Sequence, residues 1–377
     1  MSLEHARTLH VVALPHTTLT ERDSSCAYSM KVLKFVPMMQ ALGCRVILYG
    51  PDLIDCKPDE HVVITTEADR KRWGFEPGFD TVVGPLEWDA RKPYWFESAT
   101  RASDAMRERY SRGDYLCLIT STQGAIADAI CGPSWNQGML TVEWGVGYIG
   151  VDWRSHAAFE SYAWMHHVYG LRDIGDGRAF DRVIPNFFDA SQFYTTKPKG
   201  DYLLYMGRVI LRKGPHIAAE IAKAAGMKLV VAGYGVTEHS REKIVGGDGV
   251  ELHGDVEYVG PVGFEGRAEL MANAAAVMVP TVYIEPFGGV AVEAMLSGAP
   301  VITSDWGSFT EIVTPDVGRR FRTLREGVRA VEEVRDLDRK KIRKAARARY
   351  SQEAVGPMFM KWFDSLDTLW HKGWYEV

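Results

Sequence analysis

Several features that mark other classes of protein are missing from this sequence. Its 377 residues include five cysteines, and none of them forms a Cys-x-x-Cys pair. An odd number of cysteines without metal-ligand spacing favours reduced thiols over a disulfide or zinc framework. No apolar run approaches the roughly 20 residues that a membrane-spanning helix needs, and no signal-peptide pattern opens the chain. We therefore expect a cytoplasmic protein with no stable membrane span.

The charge balance bears on nucleic-acid binding, and one absent motif bears on metal-dependent catalysis. The net charge is −5, so the average composition offers no polyanion-binding surface, although a local basic patch could lie within it. A metal-binding Asp-x-Asp directly after an apolar strand is also missing. The triplet Asp336-Leu337-Asp338 is the only one of its kind, and it lies in a charged helical segment. We therefore expect no catalytic metal and no required cofactor.

What the chain does contain is the composition of a globular protein long enough for two domains. Hydrophobic residues make up 46% of it and charged residues 25%. Each half opens with a strand, a helix and a second strand. These elements are predicted over residues 9–14, 24–42 and 45–49, and again over residues 202–206, 213–225 and 229–232. The alternation predicts an α/β fold in which each domain is a doubly wound, largely parallel sheet.

The stretch from Glu285 to Pro300 organises the second half. It belongs to a βαβ unit that consists of a strand over 275–280, a turn at Gly288 and Gly289, a helix over 290–296 closed by Gly298 and Pro300, and a strand over 301–303. Such a turn directs backbone N–H groups and the positive end of a helix dipole toward the carboxyl edge of a sheet. The stretch therefore predicts a site for an anion, a phosphate or a developing negative charge.

Two carboxylates flank this turn, Glu285 before it and Glu293 on the helix. Ionised carboxylates form strong hydrogen bonds with sugar hydroxyls, so the pair suits two hydroxyl-bearing parts of one extended ligand. A glutamate near a helix start and a solvent-facing glutamate are the plainer interpretation. Taken whole, residues 280–305 resemble the donor-site signature of the retaining GT-B glycosyltransferases of family 4 (glycosyl transferases group 1). The resemblance rests on Glu-Pro-Phe-Gly and on a second glutamate after seven intervening residues.

This resemblance implies two doubly wound Rossmann-like domains that face each other across a cleft. We expect residues 1–192 to form the acceptor-side domain, 193–350 the nucleotide-sugar domain, and 351–377 a helix that packs back on the first domain. The segment that joins the two domains in this family is matched here by Pro185, Asn186, Asp189 and Phe193. Phe187 stands where the family has a glycine. We place the linker at residues 191–199 and interpret residues 57–113 as irregular excursions on the acceptor side.

The resemblance also implies roles for individual residues. Arg208 and Lys213 would neutralise the diphosphate leaving group, while Glu285 and the backbone of residues 287–289 would hold the transferred sugar. Glu293 would hold the ribose hydroxyls, and the leaving phosphate would take the acceptor proton. The donor set implied in this way is Gly207, Arg208, Lys213, Gly233, Tyr234, Tyr258, Val259, Glu285, Phe287, Gly288, Gly289, Val290 and Glu293.

The first half supplies the candidates for the acceptor side. A strand over 139–143 ends at Glu143, where the family often has a histidine near the donor sugar. We count Glu143 with Glu285, Arg208 and Lys213 as candidate catalytic residues, and a structural salt bridge explains Glu143 equally well. The candidate acceptor contacts are Thr20, Asp23, Trp144 and His156.

Other interpretations of this region stay open. Asp23 is also an ordinary helix N-cap, and His156 also fits a helix start or a surface position. The loop over 16–29 is commonly rich in glycine in the family, and here it contains none. We further predict a helix over 159–165 and a strand over 166–169.

Together these observations predict a retaining, metal-independent hexosyltransferase. It would move a sugar from a UDP-, GDP- or ADP-sugar to a hydroxyl of a glycan, a lipid-linked precursor or a small molecule. Two alternatives are an enzyme that acts on hydroxymethylated bases in DNA and an inactive sugar-nucleotide-binding protein. The acidic net charge weighs against the first, and the complete set of Arg208, Lys213, Glu285 and Glu293 weighs against the second.

Overall fold

The structure, a computed structural model, describes residues 7–20, 23, 26–75, 86–196 and 201–376. Part of the loop over 16–29 and the end of the predicted linker lie outside the described residues. The strands are β1 (Thr8–Val12), β2 (Arg45–Pro51), β3 (Glu60–Thr65), β4 (Asp114–Leu118), β5 (Met139–Val146), β6 (His156–Phe159), β7 (Arg182–Val183), β8 (Tyr202–Met206), β9 (Lys228–Ala232), β10 (Val236–His239), β11 (Lys243–Gly246), β12 (Glu251–His253), β13 (Val256–Gly260), β14 (Ala276–Val279), β15 (Val301–Ser304) and β16 (Gly318–Phe321). The helices are α1 (Ala27–Ala41), α2 (Glu67–Arg72), α3 (Pro93–Arg107), α4 (Gly124–Cys131), α5 (Tyr162–Leu171), α6 (Pro215–Ala224), α7 (Phe264–Asn273), α8 (Gly289–Leu296), α9 (Phe309–Ile312), α10 (Leu324–Glu333), α11 (Arg339–Tyr350) and α12 (Gln352–Asp367).

Two parallel sheets and one small antiparallel sheet organise these elements. The strand orders are β3-β2-β1-β4-β5-β6-β7, β13-β9-β8-β14-β15-β16 and β10-β11-β12. In each parallel sheet the chain first adds strands on one side of its opening strand and then crosses to the other side. The strand order therefore reverses between β1 and β4 and between β8 and β14. In sheets of this kind ligands bind at such a switch point, beyond the carboxyl ends of the strands.

Alternate residues of each strand enter the cores on opposite faces of the sheet. In β1, Val11 packs in a core that includes residues of α1 and α12, while Val12 packs in another with residues of α3 and α4. In β8, Leu204 joins residues of α8 and α11, while Leu203 joins residues of α6 and α10. Both faces of both sheets are therefore buried, which explains the nearly continuous apolar strand sequences.

The described chain divides into two compact units. Unit 1 contains residues 1–160, 168–187 and 355–377, and unit 2 contains residues 161–167 and 188–354. The change of unit after Phe187 lies a few residues before the predicted boundary at residue 192, and α12 joins unit 1 from Val355 onward. Each unit holds one parallel sheet with helices on both faces, so the predicted α/β class is confirmed. None of the described helices combines the length and apolarity needed to cross a bilayer.

Two local predictions were wrong, and one small sheet was largely missed. Residues 57–113 contain β3, α2 and α3 rather than irregular excursions, and α2 begins with a capping box formed by Thr66 and Asp69. Residues 166–169 belong to α5, and the strand of this region is β6, which precedes the helix. The antiparallel sheet of β10, β11 and β12 was largely missed, because its strands of three or four residues are half exposed and carry little apolar pattern.

Candidate functional site

The strongest candidate site lies at the switch point of unit 2. The loop after β8 begins at Gly207 and carries Arg208, Arg212 and Lys213, and the loop after β14 carries Tyr283 and Glu285. Because β8 and β14 are neighbouring parallel strands, both loops leave the sheet at the same edge. The sheet order therefore brings together two sequence segments that the family resemblance had assigned to one donor site.

Lys213, Tyr283 and Glu285 form a closed hydrogen-bonded cluster at this edge. The Lys213 Nζ lies 2.9 Å from the Glu285 Oε2 and 2.5 Å from the Tyr283 hydroxyl. The Tyr283 hydroxyl in turn donates to the Glu285 Oε2 over 2.6 Å. The structure thus places the predicted diphosphate-binding lysine and the predicted sugar-binding glutamate in direct contact.

Close backbone contact between the two loops explains why these side chains meet. Gly214 has a φ of 72°, and a Cβ there would lie 2.0 Å from the carbonyl oxygen of Pro280. The Val282 N–H donates to the carbonyl oxygen of Arg212 over 3.0 Å. Only glycine permits this approach, and it sets Lys213 beside the loop that holds Tyr283 and Glu285.

The cluster combines a buried carboxylate with several cations. Glu285 is 8% exposed, and the guanidinium of Arg212 lies 4.1 Å from the centre of the Tyr283 ring. Arg208 is exposed on the same loop, and its carbonyl oxygen accepts a hydrogen bond from the Tyr205 hydroxyl. Burial and the nearby Glu285 charge raise the pKa of Tyr283 well above its ordinary value, so its hydroxyl stays protonated. Such a site suits a ligand that carries both negative charge and hydroxyl groups.

The loops after β8 and β9 form the neighbouring part of the site. Gly207 donates its N–H to the carbonyl of Ala232, and a Cβ at Gly233 would lie 2.0 Å from the Gly207 oxygen. The Tyr258 hydroxyl donates to the Gly233 carbonyl over 2.7 Å. Gly207, Gly233 and Tyr258 from the predicted donor set are therefore joined, with Tyr234 half-buried beside them and Val259 exposed.

The glycine turn before α8 has the predicted geometry. Gly288 has a φ of 82°, and Gly289 is the first residue of the helix, with Val290 following. The Phe287 side chain points into the core, where it packs on Phe188. Only the backbone of residues 287–289 is thus available to a ligand at this turn. The amides at the start of a helix have no partner within the helix and favour negative charge.

Glu293 lies one to two turns into α8 and pairs with a cation that the sequence did not indicate. Its Oε2 lies 3.3 Å from a guanidinium nitrogen of Arg267 in α7, an ion pair whose orientation falls short of a hydrogen bond. The pairing balances the charge of Glu293 while leaving hydrogen-bonding capacity on its carboxylate. Within the described ranges, no group of three or more His, Cys, Asp or Glu side chains is arranged to hold a metal ion.

Glu143, the candidate in unit 1, is wholly enclosed. Strand β5 continues to Val146, so Glu143 lies within the strand and is 0% exposed. Its carboxylate accepts hydrogen bonds from the Tyr148 hydroxyl, the Asp152 N–H at 2.8 Å and the Ser155 hydroxyl at 2.8 Å. Burial raises its pKa to about 7, and these hydrogen bonds partly offset the rise. These bonds hold the segment between β5 and β6 in place.

Two further candidates of unit 1, Trp144 and His156, pack against aromatic side chains. Trp144 is 1% exposed and stacks on Phe35 at a centroid distance of 4.0 Å, which corrects its assignment as an acceptor contact. His156 begins β6, at the amino end of the strand, rather than starting a helix. It packs against Phe180, and burial together with the Arg178 charge lowers its pKa to about 4. His156 is therefore a neutral, largely buried side chain.

In the loop after β1, the described side chains of Thr18, Thr20 and Asp23 contact one another. Asp23 is buried, and its Oδ2 accepts hydrogen bonds from the Thr18 N–H at 2.7 Å and the Thr18 hydroxyl at 2.5 Å. Thr20 is half-buried, and its hydroxyl lies 2.8 Å from the Thr18 hydroxyl. The N-cap interpretation of Asp23 does not describe its side chain either, because Cys26 stands at the N-cap of α1.

Sequence reasoning missed Tyr283, Arg212 and Arg267. Tyr283 and Arg212 each lie within two residues of a predicted site residue, so proximity to Glu285 and Lys213 was the available signal. Arg267 meets Glu293 only because α7 packs on α8, and nothing in the sequence around Arg267 indicated this pairing.

The chain folds into two α/β units, each built on one parallel sheet. Comparisons with known proteins show which family and which structures it resembles. Residues 187–349 match the family described as glycosyl transferases group 1. The chain is 34% identical over 119 residues to an uncharacterized glycosyltransferase of Methanocaldococcus jannaschii, a match that covers 30% of each chain. It is 34% identical over 152 residues to a glycogen synthase of Mycobacterium tuberculosis, covering 37% of this chain and 35% of that one. The matches thus span about a third of these curated relatives.

Solved structures resemble the chain over nearly its whole length. A sucrose-phosphate synthase from Thermosynechococcus elongatus has a TM-score of 0.65 at 18% identity, covering 96% of this chain and 100% of that one. A glycosyltransferase involved in avilamycin A biosynthesis has a TM-score of 0.63 at 19% identity, covering 96% and 98%. A protein of Anabaena, solved in complex with UDP-glucose, has a TM-score of 0.60 at 15% identity, covering 95% and 99%. At these identities the likeness shows the fold.

Proposed function

We propose that this chain is a glycosyltransferase that takes its sugar from a nucleotide-diphosphate sugar. One observation carries the proposal: the Lys213 ammonium, the Tyr283 hydroxyl and the Glu285 carboxylate meet at the switch point of unit 2. They do so within the segment that matches the glycosyl transferases group 1 family. A ligand with a diphosphate at one end and sugar hydroxyls at the other suits this mixture of charges.

The proposed chemistry divides the work among these groups. Arg208 and Lys213 stabilise the negative charge that develops on the diphosphate as the bond between the sugar C1 and the phosphate oxygen breaks. Glu285 accepts hydrogen bonds from hydroxyls of the transferred sugar, and Glu293 accepts them from the ribose. The backbone N–H groups at the start of α8 face the remaining negative charge.

The finer features of the proposal follow the family 4 resemblance. Transfer retains the anomeric configuration, and the proton of the acceptor hydroxyl passes to the leaving phosphate, with no metal or other cofactor. The donor is a UDP-, GDP- or ADP-sugar; two structures of the similar Anabaena protein contain UDP-glucose or UDP with glucose, which favours a uridine nucleotide. The acceptor is a hydroxyl of a glycan, a lipid-linked precursor or a small molecule, and the reaction takes place in the cytoplasm.

A donor panel tests the proposal directly. The purified chain is mixed with UDP-, GDP- and ADP-sugars, with and without EDTA, and thermal unfolding and nucleotide release are measured. We expect one nucleotide family to raise the unfolding temperature, because a ligand at about 100 times its Kd adds about 2.7 kcal/mol of stability. The same donor should be hydrolysed slowly in EDTA, with an unchanged anomeric configuration in the first product detected by NMR. A chain that neither binds nor hydrolyses any of these donors contradicts the proposal.

A further inference from the structure

The loop after β14 carries a tyrosine whose side chain contacts three charged groups. The Tyr283 hydroxyl lies 2.5 Å from the Lys213 Nζ and 2.6 Å from the Glu285 Oε2. The Arg212 guanidinium lies 4.1 Å from the centre of its ring. Two of these three partners are the groups that the proposed function sets against the diphosphate and the sugar of the donor.

The chemistry of the partners fixes the direction of both hydrogen bonds. An ammonium group can only donate a hydrogen bond, and an ionised carboxylate can only accept one. The Tyr283 oxygen therefore accepts from Lys213, and its single proton points to Glu285. The raised pKa of Tyr283 keeps that proton in place. The hydroxyl thus bridges a cation and an anion in one orientation.

The backbone around Tyr283 is itself anchored. The Trp306 Nε1 donates to the Tyr283 carbonyl over 3.2 Å, and the neighbouring Val282 N–H donates to the Arg212 carbonyl. A ring held at its backbone and covered by a guanidinium has little freedom to turn. Because the ring is fixed, the hydroxyl can set the positions of the more flexible lysine and glutamate side chains.

We propose that Tyr283 is a positioning residue that holds Lys213 and Glu285 in the arrangement needed to engage both ends of an intact sugar nucleotide. This inference rests on the proposed function and adds a residue to it. Tyr283 acts through Glu285 and Lys213 rather than on the reacting atoms. Lys213 keeps its direct contact with Glu285 when the tyrosine hydroxyl is lost, whereas Glu285 loses the hydroxyl that orients it. Recognition of a donor that carries a sugar should therefore weaken more than recognition of a free nucleoside diphosphate, which has no sugar for Glu285 to bind.

A double-mutant cycle on donor turnover tests this role. The variants are Tyr283→Phe, Glu285→Gln and the double variant, with Tyr202→Phe as the matched control. The Tyr202 hydroxyl donates to the Leu270 carbonyl over 2.8 Å in the same unit, at the opposite end of β8 from the cluster. For each variant kcat and KM for the sugar nucleotide, the Kd of the free nucleoside diphosphate and the unfolding temperature are measured.

We expect Tyr283→Phe to lower kcat/KM by about tenfold or more, with the diphosphate Kd changed by less than about threefold. In the Glu285→Gln background the same change should cost less than about threefold, because the hydroxyl acts through that carboxylate. Tyr202→Phe should stay within about twofold of wild type.

Any of three outcomes would overturn the inference alone. Wild-type turnover in Tyr283→Phe would show that the hydroxyl is dispensable. Fully multiplicative losses in the double variant, or equal losses of sugar-nucleotide and diphosphate binding, would show a general structural effect. A wild-type protein that turns over no sugar nucleotide would instead overturn the proposed function, and the inference with it.

Discussion

The two parallel sheets have the same kind of switch point, but their loops use it differently. In unit 2, the loops after β8 and β14 approach each other at Gly214 and leave Lys213, Tyr283 and Glu285 grouped at the edge. In unit 1, the buried Gln123 amide fills the equivalent place between β1 and β4. It donates to the carbonyls of Val12 and Ala13 and accepts from the Ile119 N–H. Charged side chains therefore lie at the switch point of unit 2, whereas hydrogen bonds from a neutral amide join the two loops at the switch point of unit 1.

The comparison teaches that strand order locates a site without deciding what the site does. The loop after β1 contains no glycine, and its buried Thr18 and Asp23 are hydrogen-bonded to each other. The two loops of unit 1 are joined instead by the side chain of a glutamine, Gln123. The glycines of unit 2 instead let backbones meet, so that only the longer charged side chains extend toward a ligand.

The largest expected effect separates activity from stability in unit 2. Lys213→Ala should lower donor turnover by about 1,000-fold, since it removes the charge that faces the leaving diphosphate. Glu293→Ala should cause a loss of similar size, and both variants should unfold within a few degrees of wild type. Lys223→Ala, at an exposed position on α6, is the matched control and should be fully active. Near-normal turnover in Lys213→Ala would remove unit 2 as the donor site.

Glycine substitutions should sharpen the difference between the two units. Gly214→Ala should destabilise unit 2 by more than about 3 kcal/mol, because the new Cβ would meet backbone rather than a movable side chain. Gly43→Ala in unit 1 has a φ of 85° and open space around it, so it should cost only about 1–2 kcal/mol. Urea denaturation measures both. Equal losses would show that the left-handed backbone, and not the contact with Pro280, explains the requirement at Gly214.

Gln123→Ala should lower the stability of the chain but keep its nucleotide affinity, whereas Lys213→Ala should lower activity but keep stability. It removes three hydrogen bonds from buried backbone groups at the unit 1 switch point, so we expect a loss of about 3 kcal/mol. Affinity for the nucleoside diphosphate should remain within about twofold when measured by calorimetry below the unfolding temperature. A folded Gln123→Ala protein that no longer binds the nucleotide would show that unit 1 contributes to donor binding.

The smallest expected effect concerns pH and the enclosed carboxylate of unit 1. Burial raises the pKa of Glu143 from 4.5 to about 7, so the folded chain binds the proton more tightly than the unfolded chain. Between these two values stability therefore falls as the pH rises. The full shift corresponds to about 3 kcal/mol, and relaxation around the charged carboxylate should reduce the observed change to about 2 kcal/mol.

Denaturation of wild type and Glu143→Gln from pH 4.5 to pH 8 isolates this contribution. The stability of wild type minus that of the variant should shrink as the pH rises, because only wild type carries the titrating group. A constant difference would mean that Glu143 is ionised throughout this pH range. The three hydrogen bonds to its carboxylate would then outweigh the effect of burial on its pKa.

Much of the secondary structure could be read from local patterns. The strand predicted over 202–206 agrees with β8, and the helix predicted over 290–296 agrees with α8 to one residue. Apolar runs bounded by glycine or proline carry enough information for such elements. The short strands of the antiparallel sheet carry too little. Residues 166–169 were assigned to a strand rather than to the helix α5, because a short apolar run fits either period.

The sequence by itself determined the α/β class, the glycine turn before α8 and the identities of Lys213, Glu285 and Glu293 as candidate residues. Only the tertiary structure decided that Lys213 and Glu285, 72 residues apart, contact each other and share the Tyr283 hydroxyl, and that Arg267 pairs with Glu293. It also decided that Trp144 and Glu143 face inward. The physical reason is that local patterns encode period and turns, whereas strand order and side-chain direction arise from long-range packing of the whole sheet.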